Sequence, residues 1–324
     1  MTPFAIAGVQ MHVSAVHENV TAIKNHVDLT MARFPWVQMI VFSELAAFGP
    51  LPAKHPKSLK ATEAIFCELA VRHGIWLVPG SMYERERGKI YNTAMVIDPT
   101  GNIVGKYRKM FPFAPYEANI DSGTEFLVFD VPDVGRFGLS ICYDIWFPET
   151  TRTLTSMGAE ILLVPVLTGT IDRDVEVSMA RATAAQFQCY VVDINGLGAG
   201  GIGRSCIFDP AGTPIYQAGA GEEIIPVELD LDLVRRQRAV GMHGLGQPLK
   251  SFRDRAVDFN VYDEAMFDTN YLNSLGKLQF SERGSRAGLD GRTPQQIEQD
   301  IDQPNQENKM PKLMAVGQPG GKDS

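Results

Sequence analysis

Two stretches of this chain can do little but reverse direction. In IYNTAMVIDPTGNIVGKYRK, the run Asp98-Pro99-Thr100-Gly101-Asn102 separates two apolar segments, and Asp209-Pro210-Ala211-Gly212 acts the same way further on. Proline presets φ for a turn, aspartate bonds forward to the main chain, and glycine accepts positive φ, so each run predicts a hairpin. The rest of the chain alternates instead. Residues 4–10 and 37–42 read as strands around a helical segment at 17–33, and a helix at 61–73 precedes a strand at 75–79. After Cys142 come a helix to about residue 157, a strand at 160–165, a helix around 175–188 and strands at 190–195 and 205–209. Helical crossovers return a chain to a parallel neighbour, whereas hairpins pair strands antiparallel. A chain with both predicts mixed sheets in a layered α/β fold.

The 324 residues suffice for one large domain or two ordinary ones, and 44% hydrophobic residues can fill a sizeable core. A formal net charge of -8 argues against nucleic acid or an anionic membrane as the main partner. No apolar run approaches the roughly 20 residues of a membrane span. The start, MTPFAIAGVQMH, has neither a basic n-region nor a long apolar run, so a first strand is expected there and not a signal peptide. Cys67, Cys142, Cys189 and Cys206 form no CxxC pair and no disulfide or zinc framework, which suits a reducing cytoplasm. His12 and His17 have no third ligand nearby, so no metal is expected. From about Arg235 the pattern gives way to polar, irregular sequence. The reading is a folded domain over 1–240, an aromatic-rich arm over 241–284, and a disordered tail over 285–324 with little to bury.

Three apolar segments each end in one chemically able residue. VQMIVFSEL delivers Glu44, IVGKYRKMFPF delivers Lys109, and FGLSIC delivers Cys142. In layered α/β folds, sites gather at the C-terminal ends of strands, so the three could converge. Pro148 and Glu149 read as a helix first turn, and a helix N-terminus near Cys142 would favour a thiolate. Each residue has a mundane alternative: a capping glutamate, a surface lysine, a core cysteine.

Taken together, these segments resemble the nitrilase (carbon–nitrogen hydrolase) superfamily, whose motifs are a Glu, a Lys and a Cys in that order. The resemblance covers residues 3–237 and extends to YNTAMVIDPTGNIVGKYRK, GAEILLVP, ARATAAQFQCYVV followed by Asn195, and GRSCIFDPAGTPI. It implies an αββα sandwich that dimerises through the layer bearing the helix after the cysteine. It also implies Cys142 as nucleophile, Glu44 as general base, and Lys109 with the backbone N–H of Tyr143 as oxyanion donors, with no cofactor. The apolar run before Glu44 is expected to raise its pKa. Glu117 in FAPYEANI matches a second glutamate near the family's pocket, and Tyr116, Tyr143, Trp146 and Thr168 are candidate pocket walls. Arg181 is placed behind the site in a structural salt bridge.

Other readings fit less well. GLGAGG, residues 196–201, fits GxGxxG, but strand-like sequence follows where a dinucleotide site needs a helix, so a flexible loop between strands is expected. A Cys–His pair would have to use His243, in a Gly-rich stretch. A nitrile hydrolase and a non-catalytic assembly module on the same fold are the alternatives. Tyr143-Asp144 after the cysteine is of amidase and carbamoylase type, where nitrilases carry Trp-Glu. Ile145 and Trp146 stand where some carbamoylases carry an arginine for a carboxylate. TGTIDRDVEVS supplies Asp172, Asp174 and Glu176 against Arg173, with Arg181 or Arg204 as other cations that could reach the pocket. The expectation is a thiol hydrolase acting on a small linear amide or N-carbamoyl amine, neutral or positive at its far end. The chain would form a homodimer or a larger even-numbered oligomer through the arm.

Overall fold

The first strand, β1 (Pro3–Gln10), is buried at every position but its first, and its two faces serve different layers. Phe4 and Ile6 point into one apolar cluster, Ala7 and Val9 into another. Period-two alternation with both faces apolar describes a strand at the centre of a sandwich. The computed structural model describes residues 1–263, 269–276 and 278. The chain divides into two units, Met1–Asp268 and Thr269–Ser324. In the second, one short helix, Asn270–Ser274, is described. The tail expected at 285–324 lies outside the described residues.

In the first unit, β2 (His12–Val13) leads to α1 (Val20–Arg33), β3 (Met39–Phe42), α2 (Lys60–His73), β4 (Trp76–Val78) and β5 (Ser81–Glu86). The first predicted hairpin is β6 (Lys89–Ile97) and β7 (Ile103–Arg108), with a short α3 (Ala114–Glu117) after it. Next come β8 (Leu127–Val131), β9 (Gly135–Leu139), α4 (Pro148–Ser156), β10 (Ile161–Val166), α5 (Arg173–Phe187) and β11 (Tyr190–Asn195). The chain continues through β12 (Leu197–Gly198), β13 (Gly201–Ile202), β14 (Cys206–Phe208), β15 (Pro214–Gln217), β16 (Glu223–Asp230) and α6 (Leu231–Val240).

Two large mixed sheets result, beside a small three-stranded one of β13, β12 and β2. One runs β16-β1-β3-β4-β6-β5 with β7 beside β6, and the other runs β15-β14-β11-β10-β9-β8. Phe4 meets Phe137 edge to face at 5.4 Å and Trp76 stacks on Phe129 at 5.7 Å, so aromatic rings join the two sheets. Helices α1 and α2 cover the outer face of the first sheet through Ile23, Val27, Phe66 and Leu69. On the second, α4 and α5 bury Leu154, Ala180, Ala184 and Phe187. The fold is the αββα sandwich that the resemblance implied.

Three features differ from the sequence reading. Residues 196–201 form no flexible loop; β12 and β13 pair as a tight hairpin that also joins β2. The helical pattern does not fail at Arg235, because α6 continues to Val240. Its inner stripe is only Leu231, Val234 and Gln237, too sparse to read from composition, and its start is capped by the Asp230 side chain. Strand β16 pairs along the whole of β1, more than two hundred residues away in sequence.

The start of the arm is ordered on its own chain. Helix α7 (Pro248–Arg253) places the Phe252 ring 4.1 Å from the Arg152 guanidinium of α4. The Tyr262 hydroxyl donates to Glu149 Oε1 at 3.3 Å.

Candidate active site

Strand β3 ends at Phe42, and the chain turns sharply so that Glu44 leaves the C-terminal edge of the first sheet. Leu45 takes φ 52, and its N–H donates to Ser81 Oγ at 3.0 Å. The turn is tight: a Cβ on Gly80 would lie 2.0 Å from the Ser43 carbonyl oxygen, so only glycine fits beside it. The Glu44 N–H donates to the Val166 carbonyl at 3.2 Å, which joins the ends of β3 and β10. Lys109 follows β7, its N–H donating to the Asn92 carbonyl of β6 at 2.8 Å.

Cys142 opens a five-residue 3-10 turn, Cys142–Trp146, with φ 47. The buried Asp144 carboxylate holds this turn. It accepts from the Ile141 N–H at 3.0 Å, the Phe111 N–H at 2.9 Å and the Tyr107 hydroxyl at 2.7 Å. Two of those donors flank Lys109, so one carboxylate ties the cysteine turn to the lysine segment. The Cys142 thiol faces the Leu167 carbonyl at 3.7 Å and Thr168 Oγ1 at 3.9 Å. Asn195 fixes Thr168 from behind, accepting its N–H and donating to its carbonyl, both at 3.0 Å.

The three side chains meet. Lys109 Nζ donates to Glu44 Oε1 at 2.7 Å and to Glu117 Oε2 at 2.8 Å, and all three groups are buried. Burial drives the Glu44 carboxyl up to about 7, with the Lys109 charge opposing and the Glu117 charge adding. Burial alone would lower Lys109, but Glu44 and Glu117 hold its ammonium well above the ordinary lysine value. The Cys142 thiol is pushed well up, first by burial and then by the Glu44 charge, with Lys109 partly opposing. This corrects the expectation of a helix-stabilised thiolate: the turn at Cys142 is too short and too dry to offset desolvation, and α4 begins only at Pro148. Both influences favour the neutral thiol over the thiolate.

These groups lie in a cavity of about 360 Å³. Glu117, Tyr116, Tyr143, Trp146 and Thr168 all line it, Tyr116 at the rim with 74% of its surface exposed. The lining carboxylates are Glu44, Glu117, Asp172 and Glu176, and Lys109 is the one cation among the described residues there. Arg173 does not reach the cavity. It is fully buried and paired with Asp193 at 2.5 Å and Glu176 at 3.4 Å. Arg204 pairs with exposed Asp174. The salt bridge expected of Arg181 is not found among the described residues; its Nε donates to the Gly212 carbonyl at 2.9 Å. His243 is exposed and lines no part of the cavity.

The carbon-nitrogen hydrolase profile matches residues 5–239. The chain belongs to the carbon-nitrogen hydrolase family. Among its relatives, the 2-oxoglutaramate amidase of Bacillus subtilis is 34% identical over 50% of this chain and 64% of that protein. The deaminated glutathione amidase of Bos taurus is 30% identical over 57% of this chain and 65% of that protein. Both matches span less than two thirds of the relative's length. A Saccharomyces cerevisiae protein described as a member of branch 10 of the nitrilase superfamily superposes with a TM-score of 0.67. It shows 26% identity and covers 74% of this chain and 94% of that one.

Sequence reasoning passed over Asn92 and Tyr83. Asn92 Nδ2 donates to Glu44 Oε1 and to Glu117 Oε1, both at 2.8 Å. The Tyr83 hydroxyl donates to Glu117 Oε1 at 3.4 Å. The available signal was a buried amide opening the otherwise apolar run of β6, which strand patterning alone would leave on a solvated face.

Proposed function

We propose that the chain is a cysteine-dependent amidase that hydrolyses a small linear amide or N-carbamoyl amine. The observation that carries this reading is the convergence of Glu44, Lys109 and the Cys142 thiol on the floor of one cavity. Glu44 takes the thiol proton as Sγ attacks the carbonyl carbon. The oxyanion is held by the Lys109 ammonium and the Tyr143 N–H, which lies in the first turn of its helix, where N–H groups have no partner within the helix. The intermediate collapses, Glu44 passes the proton to the departing nitrogen, and ammonia or an amine leaves a thioester on Cys142. Glu44 then takes a proton from water as its oxygen attacks the thioester. The C–S bond breaks, the acid departs, and Glu44 returns its proton to Sγ to restore the thiol.

Glu117 keeps Lys109 in place by sharing its ammonium with Glu44. The amidase names of the relatives do not favour the nitrile alternative. The non-catalytic alternative leaves a complete set of buried, mutually bonded reactive groups without a role. Intact-protein mass spectrometry with simple amides tests the mechanism. A covalent acyl adduct on Cys142 that is lost in Cys142→Ala is expected, and its absence with every amide tried would refute it.

Charge supports a substrate that is neutral or positive at its far end. Arg173, Asp193 and Glu176 together carry one excess negative charge, and Glu176 faces the cavity, where Trp146 Nε1 donates to its Oε1 at 3.3 Å. A carboxylate-bearing amide would meet Asp172 and Glu176 without an arginine to receive it. Amides tested in pairs, one neutral or amino-terminated and one carboxylate-terminated, decide this; preference for the carboxylates would refute the substrate claim and leave the chemistry untouched.

The oligomer reading rests on the arm. Leu245, Val257 and Val261 are 81%, 62% and 53% exposed on a segment already anchored to α4, so a second copy of the chain is the proposed cover. Light scattering of the chain ended after Gly241, beyond the last residue of α6, tests it: a lower mass is expected, and an unchanged oligomer would refute the arm's role. A reducing, cytoplasmic setting is part of the proposal, on the ground that the four cysteines are spaced as no disulfide framework.

A further inference from the structure

The hydrolysis described above assigns nothing to Asn92, although it is fully buried and touches two of the cavity's carboxylates. Asn92 Nδ2 and Lys109 Nζ both donate to Glu44 Oε1, at 2.8 and 2.7 Å. The same two groups donate to Glu117, the amide to Oε1 and the ammonium to Oε2, each at 2.8 Å. Glu44, Lys109, Glu117 and Asn92 thus close a ring. The amide orientation is dictated, because ionised carboxylates only accept and only the NH2 end can face two of them. The other end pays no such role: Asn92 Oδ1 is buried with no hydrogen-bond partner among the described residues. A carbonyl oxygen left bare in the core marks a side chain retained for what its opposite end does.

We propose that Asn92 is a positioning residue for the hydrolysis: together with Lys109 it occupies Glu44 Oε1, which reserves Oε2 for the Cys142 thiol and then for water. No N–H or ammonium among the described residues is bonded to that second oxygen. Two donors on one oxygen fix the plane of the carboxyl group as well as its distance from the nucleophile. The neutral charge of the amide is part of the design. A second cation would mask the base, and a third carboxylate would force it to stay protonated. The Asn92 carbonyl meanwhile accepts the Lys109 N–H, so one residue sets the base with its side chain and the lysine with its backbone. The titratable groups facing Glu44 are Lys109, Glu117, Cys142 and, from β5, Tyr83.

The proposal rests on Glu44 being the general base, and the test separates the two. Asn92→Leu removes both donors at similar volume, and Asn92→Asp keeps the shape while removing the donors and adding charge. Each is compared with the unaltered protein and with Glu44→Gln. The readout is the pH dependence of Cys142 alkylation by iodoacetamide, followed on the Cys142 peptide by mass spectrometry, with circular dichroism as the check on folding. A donor to a carboxylate favours its ionised form, so losing it raises the Glu44 pKa. The acid limb is expected to move up by about one pH unit in Asn92→Leu, a roughly tenfold loss of reactivity on that limb, and further in Asn92→Asp. The high-pH plateau should be largely retained. A role in packing alone would lower reactivity by the same factor at every pH, and that result in a folded variant overturns the proposal. If Asn92→Leu does not fold, an unshifted limb in the isosteric Asn92→Asp overturns it equally. If Glu44→Gln abolishes the limb while the Asn92 variants keep it in place, only the Asn92 proposal falls. If Glu44→Gln leaves the limb where it was, the base assignment falls and takes this proposal with it.

Discussion

Replacing Glu44 with glutamine should destroy activity and stabilise the protein, and the gain should depend on pH. The carboxyl rises from its ordinary 4.5 to about 7 in the folded chain, chiefly through burial. Below pH 4.5 it is protonated both folded and unfolded and contributes nothing to the difference. Between 4.5 and 7 the folded state holds a proton that the unfolded state has released, so stability falls as pH rises. Above 7 the full cost is present. At about 1.4 kcal/mol per pH unit, that rise corresponds to about 3 kcal/mol. Glutamine keeps an oxygen where Oε1 accepts from Lys109 and Asn92, and Lys109 keeps the Glu117 charge, so the substitution removes the cost without opening a hole. Urea unfolding followed by tryptophan fluorescence, at pH 5 and pH 8, measures it. Glu44→Gln should be more stable than the parent by about 3 kcal/mol at pH 8 and by much less at pH 5. Equal differences at the two pH values would refute the argument that burial strains this carboxylate.

Cys142→Ala should be inactive with every amide yet remain folded, since the thiol's contacts to Leu167 and Thr168 are long and weak; residual amidase activity would exclude Cys142 as nucleophile. Arg173→Met should cost about 3–5 kcal/mol in a thermal or urea unfolding experiment, because it strands the buried Asp193 carboxylate without its partner, and a loss under 1 kcal/mol would show that the pair is dispensable. Glu176→Gln should lower kcat/KM for amino-terminated amides by about tenfold relative to neutral ones, the size of one lost charge contact at about 1.4 kcal/mol; an unchanged ratio would remove Glu176 from substrate recognition.

Much of this molecule is written locally. The Asp98 turn can be read from five residues because its bonds are local: the Asp98 carboxylate accepts from the Thr100 and Asn102 N–H groups. The period of β1, with two apolar faces, announces a central strand for the same reason. Glu44, Lys109 and Cys142 were legible because each ends an apolar run and stands in a motif that resembles a known family. Their electrical state was not. A helix terminus near Cys142 argued for a thiolate, yet the folded chain removes water from the sulfur and sets the Glu44 charge beside it, and both favour the protonated thiol. Arg173 pairs with only one of its acidic neighbours in sequence, Glu176, because α5 turns it inward onto Asp193, and the cavity is left acidic. The Asn92 ring draws on β6, the turn after β3, the end of β7 and α3, and no window along the chain contains all four. Backbone turns and strand periods depend on neighbours in sequence, so the sequence alone determines them. Desolvation and charge pairing depend on neighbours in space, so only the tertiary structure decides which carboxyl holds a proton and which cation faces the substrate.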